Sequence, residues 1–156
     1  MLNTFTAPRE DEDSVIYCLS RALAELGVET AKAQTFHWNV RGISFQSLHA
    51  LFQTVYEDHF AAQDVLAERI KALGGHVDGR LETTVRLSAI SECGGYIKAE
   101  KMVSRLALDQ KIMSDTFVQL STFAEHAKDA VTSDIAIGRA QVHDQFSWML
   151  DAHLSE

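Results

Sequence analysis

One long apolar stripe in the middle of the chain constrains the fold more than any other feature of the sequence. From Phe45 to Leu73, apolar residues recur every three or four positions, the spacing of one face of an α-helix. The stripe ends at Gly74-Gly75, a pair typical of a helix C-terminus. At about 1.5 Å per residue, a helix of about 29 residues is roughly 43 Å long. Typical globular helices have only about 11 to 12 residues, so this length favours a helical bundle.

Three further segments have the same helical spacing. The first long helix is predicted from about Asp11 to Trp38, with acidic residues in its first turn that meet the positive end of the helix dipole. The third is predicted from about Tyr96 to His126 and the fourth from about Val131 to Leu154. One proline and eight glycines leave little material for a turn-rich β-fold. The predicted fold class is therefore all-α.

The segment between the second and third long helices is long enough to be a crossover. Residues 76–95 hold several glycines around a short apolar piece at 85–90, and we expect this crossover to contain a short helix. A crossover of this length allows the second and third helices to point the same way, one of the known ways to thread a four-helix bundle. We expect a single domain over residues 1–156, with a short acidic tail at about 1–10.

Composition and charge exclude several classes of protein. No stretch approaches the roughly 18 apolar residues of a membrane span, and the first residues lack the pattern of a secretory signal, so a cytoplasmic protein is expected. Cys18 and Cys93 lie far apart in sequence and are expected to be reduced thiols. The net charge of -8 disfavours binding to a phosphate backbone.

The candidate metal ligands are two histidines and two carboxylates. His37 ends the first helix and His49 lies in the second turn of the second helix, where the two could meet across the loop; Asp64 and Glu68 share one face farther along. The sequence has no Glu-x-x-His pair, which disfavours the usual di-iron site inside a bundle. His49 and Asp64 are about 22 Å apart in a continuous helix. If all four are ligands, the histidines of one subunit must face the carboxylates of another.

Each of these residues also has an ordinary explanation. A histidine at a helix end is usually a cap or a surface residue. Asp64 and Glu68 could belong to a solvated face that includes Arg69 and Lys71. The spacing alone does not decide between these readings.

Several motifs surround the candidate ligands. They are His37-Trp38-Asn39-Val40-Arg41-Gly42, then Phe45 and Leu48-His49, then Asp64, Ala67-Glu68-Arg69-Ile70 and Leu73-Gly74-Gly75. Together they resemble the Dps family of miniferritins. The resemblance is dense over residues 32–75 and thinner through to Phe146-Ser147-Trp148.

The resemblance implies a ferritin-like bundle that assembles, twelve copies together, into a hollow shell. It implies ferroxidase centres at the dimer two-folds, built from His37 and His49 of one chain and Asp64 and Glu68 of its neighbour. There Fe(II) would be oxidised, preferentially by hydrogen peroxide, and deposited inside as ferric oxyhydroxide. Mixed carboxylate and imidazole ligands suit both oxidation states of iron.

Four further positions bear on the function that the resemblance implies. Gln53 stands one turn after the second histidine, where many relatives have a carboxylate. An amide is a poorer iron ligand, so we expect a weak second iron position, with Glu57 or water as a substitute. Trp38 resembles a tryptophan thought to intercept radicals, although packing at the dimer interface explains it as well. Asp129 and Asp134 lie where relatives line iron pores, and helix capping explains Asp129 equally well.

Two other functions stay open at this point. The first is DNA binding, the activity that gave the family its name; the acidic tail and the twelvefold negative charge oppose it, and a gel shift at low salt would detect it. The second is a structural cage with impaired ferroxidase sites, which Gln53 suggests. Five other histidines are expected to be surface or packing residues: His59, His76, His126, His143 and His153.

Overall fold

The computed structural model describes residues 14–154, which fold into four long helices and one short helix, without strands. In chain order the helices are α1 (Val15–Asn39), α2 (Phe45–Ala72), α3 (Leu81–Leu87), α4 (Ala99–His126) and α5 (Ala130–Asp151). Helix α1 packs along α2 and α4 packs along α5, while α1 also contacts α4 and α3. The predicted all-α four-helix bundle, with a short helix in the crossover, is confirmed.

Some predicted helix ends were wrong. Helix α1 begins at Val15, because the Ser14 side chain caps it by accepting the Tyr17 N–H at 3.1 Å. Its first turn holds no acidic residue, contrary to the prediction, and the acidic tail lies outside the described residues. The short helix expected in the crossover is α3, which occupies Leu81–Leu87 and ends there because the Ser88 backbone is extended. Helix α4 begins at Ala99 instead of 96, because Lys98 is extended.

The glycine pair after α2 closes that helix in a defined way. Gly74 has a φ of +84°, and its N–H donates to the Lys71 carbonyl, while the Gly75 N–H donates to the Ile70 carbonyl. This is a Schellman motif, which satisfies carbonyls that the last helical turn leaves without partners. A Cβ on Gly75 would lie 2.8 Å from Ile70 Cγ2 and 3.0 Å from Ile16 Cγ2. The second glycine is therefore needed for close packing between α1 and the end of α2.

The apolar interior has two parts, with a polar layer between them. One part is built around Leu26, Leu66 and Phe117, and the other around Phe36, Phe52 and Leu106. No helix among residues 14–154 is both long and apolar enough to cross a bilayer. Cys18 and Cys93 are not joined by a disulfide.

Candidate metal centre

The loop between α1 and α2 brings His37 and His49 into direct contact. Their rings stack with centroids 3.7 Å apart and planes inclined by 18°. Gly42 lies in this loop at a φ of +112°, a conformation that favours glycine. The HW-x-V-x-G segment thus includes both a candidate ligand and the residue that lets the chain reverse.

Hydrogen bonds fix the tautomer of both histidines. The Nδ1 of His37 donates to the His49 carbonyl, and the Nδ1 of His49 donates to the His37 carbonyl, each at 2.8 Å. Because a carbonyl oxygen only accepts, each Nδ1 must carry the hydrogen. Each Nε2 is then left with the lone pair that a metal ion requires, the usual arrangement of metal-binding histidines. The pair therefore combines capping of the α1 end with free ligand atoms.

Asp64 and Glu68 lie one turn apart on α2 and are both exposed. Neither makes a hydrogen bond or an ion pair with any residue from 14 to 154. Their basic neighbours are engaged elsewhere: Arg69 pairs with Asp129 at 2.6 Å, and Lys71 donates to the Gly75 carbonyl. Among residues 14–154, the two carboxylates are therefore solvent-exposed, with neither Arg69 nor Lys71 as an ionic partner.

The histidines and the carboxylates do not meet within one chain. Helix α2 runs continuously from Phe45 to Ala72, which keeps His49 and Asp64 about 22 Å apart. Among the described residues, no group of three or more His, Cys, Asp or Glu side chains is close enough to hold a metal ion. A single subunit therefore presents two separate halves of the predicted ligand set.

The structure also shows the surroundings of four other positions: Gln53, Asp129, Asp134 and Trp38. Gln53 donates its amide N–H to the Glu57 carboxylate at 2.8 Å. Asp129 caps α5 by accepting the Thr132 N–H at 3.0 Å. Although burial acts in the opposite direction, hydrogen bonds from Thr132 and the charge of Arg69 lower the pKa of Asp129. Asp134 and Trp38 are exposed, Trp38 by 66% of its surface. The pore and radical roles stay predictions.

A groove of about 710 Å³ lies between α1, α2 and α3, and Asp64 is one of its polar residues. Phe60 and Leu81 also line it and are 71% and 82% exposed. Further apolar side chains on α1, α2, α3 and the first loop are exposed: Trp38, Ile43, Phe45, Val65 and Val85. So much exposed apolar surface is typical of a face that contacts another protein chain.

Sequence reasoning missed a polar layer that crosses the bundle interior. Glu29 of α1, His59 of α2, Gln110 of α4 and His143 of α5 are all fully buried. The Gln110 amide donates to Glu29 at 3.1 Å and lies 3.2 Å from His59 Nε2, while His143 Nδ1 lies 2.7 Å from Gln110 Oε1. The available signal was that each residue occupies a position where the apolar stripe of its helix is interrupted.

Burial controls the protonation of this layer. It lowers the pKa of His59 and His143, so both imidazoles are neutral at neutral pH. Burial also raises the pKa of Glu29, and the nearby Asp109 carboxylate raises it further. Lys32 pairs with Asp109 and lies 3.5 Å from Glu29. Most polar groups of the layer are therefore paired within the bundle; Glu29 Oε2 has no hydrogen bond among the described residues, and His59 Nδ1 lies 3.2 Å from an Asp58 carboxylate oxygen.

Comparisons with known proteins agree with this fold. Residues 18–156 match the family described as Ferritin-like domain. The DNA protection during starvation protein 2 of Bacillus anthracis is 31% identical over 142 residues, covering 91% of this chain and 97% of that one. The crystal structure of Dps from Staphylococcus aureus has a TM-score of 0.89 and 34% identity, covering 91% and 95% of the two chains.

A third relative adds the kind of metal site found in the wider class. The Dps protein of Vibrio cholerae O1 has a TM-score of 0.86 and 26% identity, covering 90% of this chain and 89% of that one. It is described as a member of a broad superfamily of ferritin-like diiron-carboxylate proteins. The chain belongs to the ferritin-like family, as a Dps-like miniferritin. This membership supports an iron-binding function.

Proposed function

We propose that this chain is the subunit of a cage that oxidises Fe(II) with hydrogen peroxide and stores the product as ferric oxyhydroxide. The observation that carries the proposal is the division of the ligand set along one continuous helix. His37 and His49 leave both Nε2 atoms free near one end of α2, and unpaired Asp64 and Glu68 lie near the other. The half-sites are complementary but separated.

A two-fold axis brings the half-sites together. If two α2 helices pair antiparallel about a point near Glu57, the histidines of each subunit face Asp64 and Glu68 of the other. The exposed apolar residues of the same region, including Phe60 and Leu81, would then be covered. Two equivalent centres result, and we propose that twelve subunits close into a cytoplasmic shell around the stored iron.

The ligand chemistry suits the proposed reaction. Carboxylate oxygens stabilise Fe(III), while neutral imidazole nitrogens still bind Fe(II). In the reaction two Fe(II) ions lose one electron each, and both electrons go to one molecule of hydrogen peroxide as its O–O bond breaks. Hydrolysis of the Fe(III) product then releases protons and yields ferric oxyhydroxide. Both the iron and the peroxide are substrates, and both are removed.

Stopped-flow absorbance tests this proposal. Anaerobic wild-type protein mixed with Fe(II) and hydrogen peroxide should oxidise iron faster than a His37→Ala, Asp64→Ala double variant by about tenfold or more. The double variant changes one residue of each half-site, and circular dichroism checks its fold because His37 is buried. Equal rates for the two proteins at the same iron load would exclude a ferroxidase centre at these residues.

DNA binding is the weaker candidate. The Bacillus anthracis relative is named for DNA protection. The net charge of -8 on this chain opposes contact with a phosphate backbone, and assembly would multiply that charge. We therefore propose protection through iron and peroxide instead of through contact with DNA.

A further inference from the structure

Two aromatic rings flank the paired imidazoles and form a continuous column with them. Phe45 stacks on His49, with centroids 5.0 Å apart and planes inclined by 28°. His49 stacks on His37 at 3.7 Å, and His37 meets the Tyr56 ring edge-on at 5.4 Å. The order along the column is therefore Phe45, His49, His37, Tyr56. Neither outer ring belongs to the predicted ligand set.

The column limits the ring tilting that the hydrogen bonds alone would allow. Each Nδ1 hydrogen bond holds one edge of an imidazole, but the ring can still tilt about that bond. His49 is covered on both faces, by Phe45 and by His37, so tilting would break a ring contact. Tyr56 contacts His37 edge-on, with the planes inclined by 77°, and this contact also opposes tilting. The ring contacts thus favour one orientation of each imidazole without a metal ion.

The outer rings also favour the metal-bound form electrostatically. An aromatic ring has a negative face, and an imidazole becomes electron-poor when its Nε2 binds a divalent cation. The stacking of Phe45 on His49 would therefore be stronger with a metal ion bound at Nε2 than without it. A contact of this kind would raise metal affinity as well as stabilise the fold.

We propose that Phe45 and Tyr56 are positioning residues of the metal centre, which hold His49 and His37 in the orientation that binds a divalent cation. This inference rests on the proposed function, because it presumes that these histidines are ligands. The competing explanation of Phe45, which is 45% exposed at the start of α2, is a contact between subunits. Tyr56 is half-buried, and its competing role is packing beside α1.

Cobalt(II) titration of the full-length assembled protein tests the inference, with d–d absorption reporting both affinity and ligand geometry. The variants Phe45→Leu and Tyr56→Leu remove a ring, whereas Phe45→Tyr and Tyr56→Phe keep it. We expect each leucine variant to weaken cobalt binding by about threefold to tenfold and to shift the absorption band. The ring-keeping variants Phe45→Tyr and Tyr56→Phe should keep the wild-type cobalt affinity and absorption band.

Phe123→Leu is the control, since Phe123 is a partly exposed phenylalanine on α4, outside the α2 face, and has no ring contact with either histidine. It should bind cobalt like wild type. Size-exclusion chromatography and circular dichroism select variants with wild-type assembly and fold, and Tyr56→Met replaces Tyr56→Leu if the latter does not fold. Leucine variants with wild-type affinity and band, or ring-keeping variants as weak as the leucine ones, would overturn the positioning role.

Failure of the proposed function gives a different result. In that case His37→Ala and His49→Ala bind cobalt as well as wild type, and the positioning role falls with the site. If the alanine variants lose binding while the leucine variants do not, only the positioning role is wrong.

Discussion

His37 and His49 use different atoms for structure and for the proposed chemistry. Their Nδ1 atoms hold two backbone carbonyls, and their Nε2 atoms stay free. The sequence could predict that the two histidines meet across the loop, because their distances from the helix ends were readable. It could not predict the tautomers, because those depend on where the His37 and His49 carbonyls point once both helices are packed.

Gln53 offers a test at the level of a single side chain. Gln53→Asp places a carboxylate one turn after His49. In anaerobic cobalt titrations we expect binding to rise from about one to about two ions per subunit, because carboxylate is a better ligand than amide for a hard cation. The new charge also faces Glu57 at i,i+4, so a loss of about 0.5 kcal/mol in stability without metal should accompany the gain.

Gln53→Asn is the control, since it matches aspartate in size but stays neutral. It should bind as many ions as wild type. An unchanged stoichiometry in Gln53→Asp would mean that this position does not limit the second ion.

The helices were predictable in proportion to their length. For α2 the sequence predicted residues 45–73, and the structure has Phe45–Ala72, because its stripe repeats over many turns. The bounds of the seven-residue α3 could not be predicted, since so short a piece has little periodicity. Its end depends on Ser88, whose hydroxyl bonds both the N–H and the carbonyl of Ile90. The polar layer was missed because buried histidines look like surface histidines until four helices surround them.

Gly75 should tolerate no side chain at the end of α2. In Gly75→Ala the new methyl group would lie too close to the Cγ2 atoms of Ile70 and Ile16. Both side chains are branched at Cβ and therefore have little rotamer freedom to move away. We expect a loss of about 1 to 3 kcal/mol in unfolding free energy, measured by urea denaturation at fixed protein concentration. Gly79→Ala is the comparison, because nothing lies within 4 Å of a Cβ there. Equal stability of the two variants would contradict the packing argument.

The polar layer makes helix packing sensitive to pH. Burial lowers the pKa of His143 in the folded chain, whereas the unfolded chain titrates near 6.5. Below that pH the unfolded state binds more protons, so the stability due to neutral His143 falls as the pH falls. The gap in unfolding free energy between wild type and His143→Gln should therefore shrink from about pH 7 to about pH 5, by up to about 1.4 kcal/mol per pH unit below 6.5.

Leu150→Ala provides the reference for that comparison, as a core substitution in α5 without a titrating group. Glu25 and Glu29, whose pKa values burial raises, act in the opposite direction, and His59, whose pKa burial lowers, acts in the same direction; all three are present in wild type and in both variants. If the difference in unfolding free energy between wild type and His143→Gln varies with pH in the same way as the difference for Leu150→Ala, His143 is not neutral in the folded protein.

At the scale of the assembly, the proposed function requires each centre to combine half-sites of two different subunits. We expect subunits carrying His49→Ala and subunits carrying Glu68→Ala to be inactive separately. After disassembly, mixing and reassembly, some interfaces regain an intact centre, because each partner supplies what the other lacks. Recovery of part of the wild-type oxidation rate is the expected result. No recovery, in mixtures that reassemble to wild-type size, would place the whole site in one chain.

Because α2 is one continuous helix, the two half-sites lie apart in a subunit that has not yet assembled. A newly made chain carries both half-sites, yet the helix between them acts as a spacer that no side-chain movement can shorten. On the proposed function, a lone subunit is therefore unable to turn over iron at this centre. The proposed centre is complete only after subunits pair. The contact that begins assembly of the shell is therefore also the contact that allows iron oxidation.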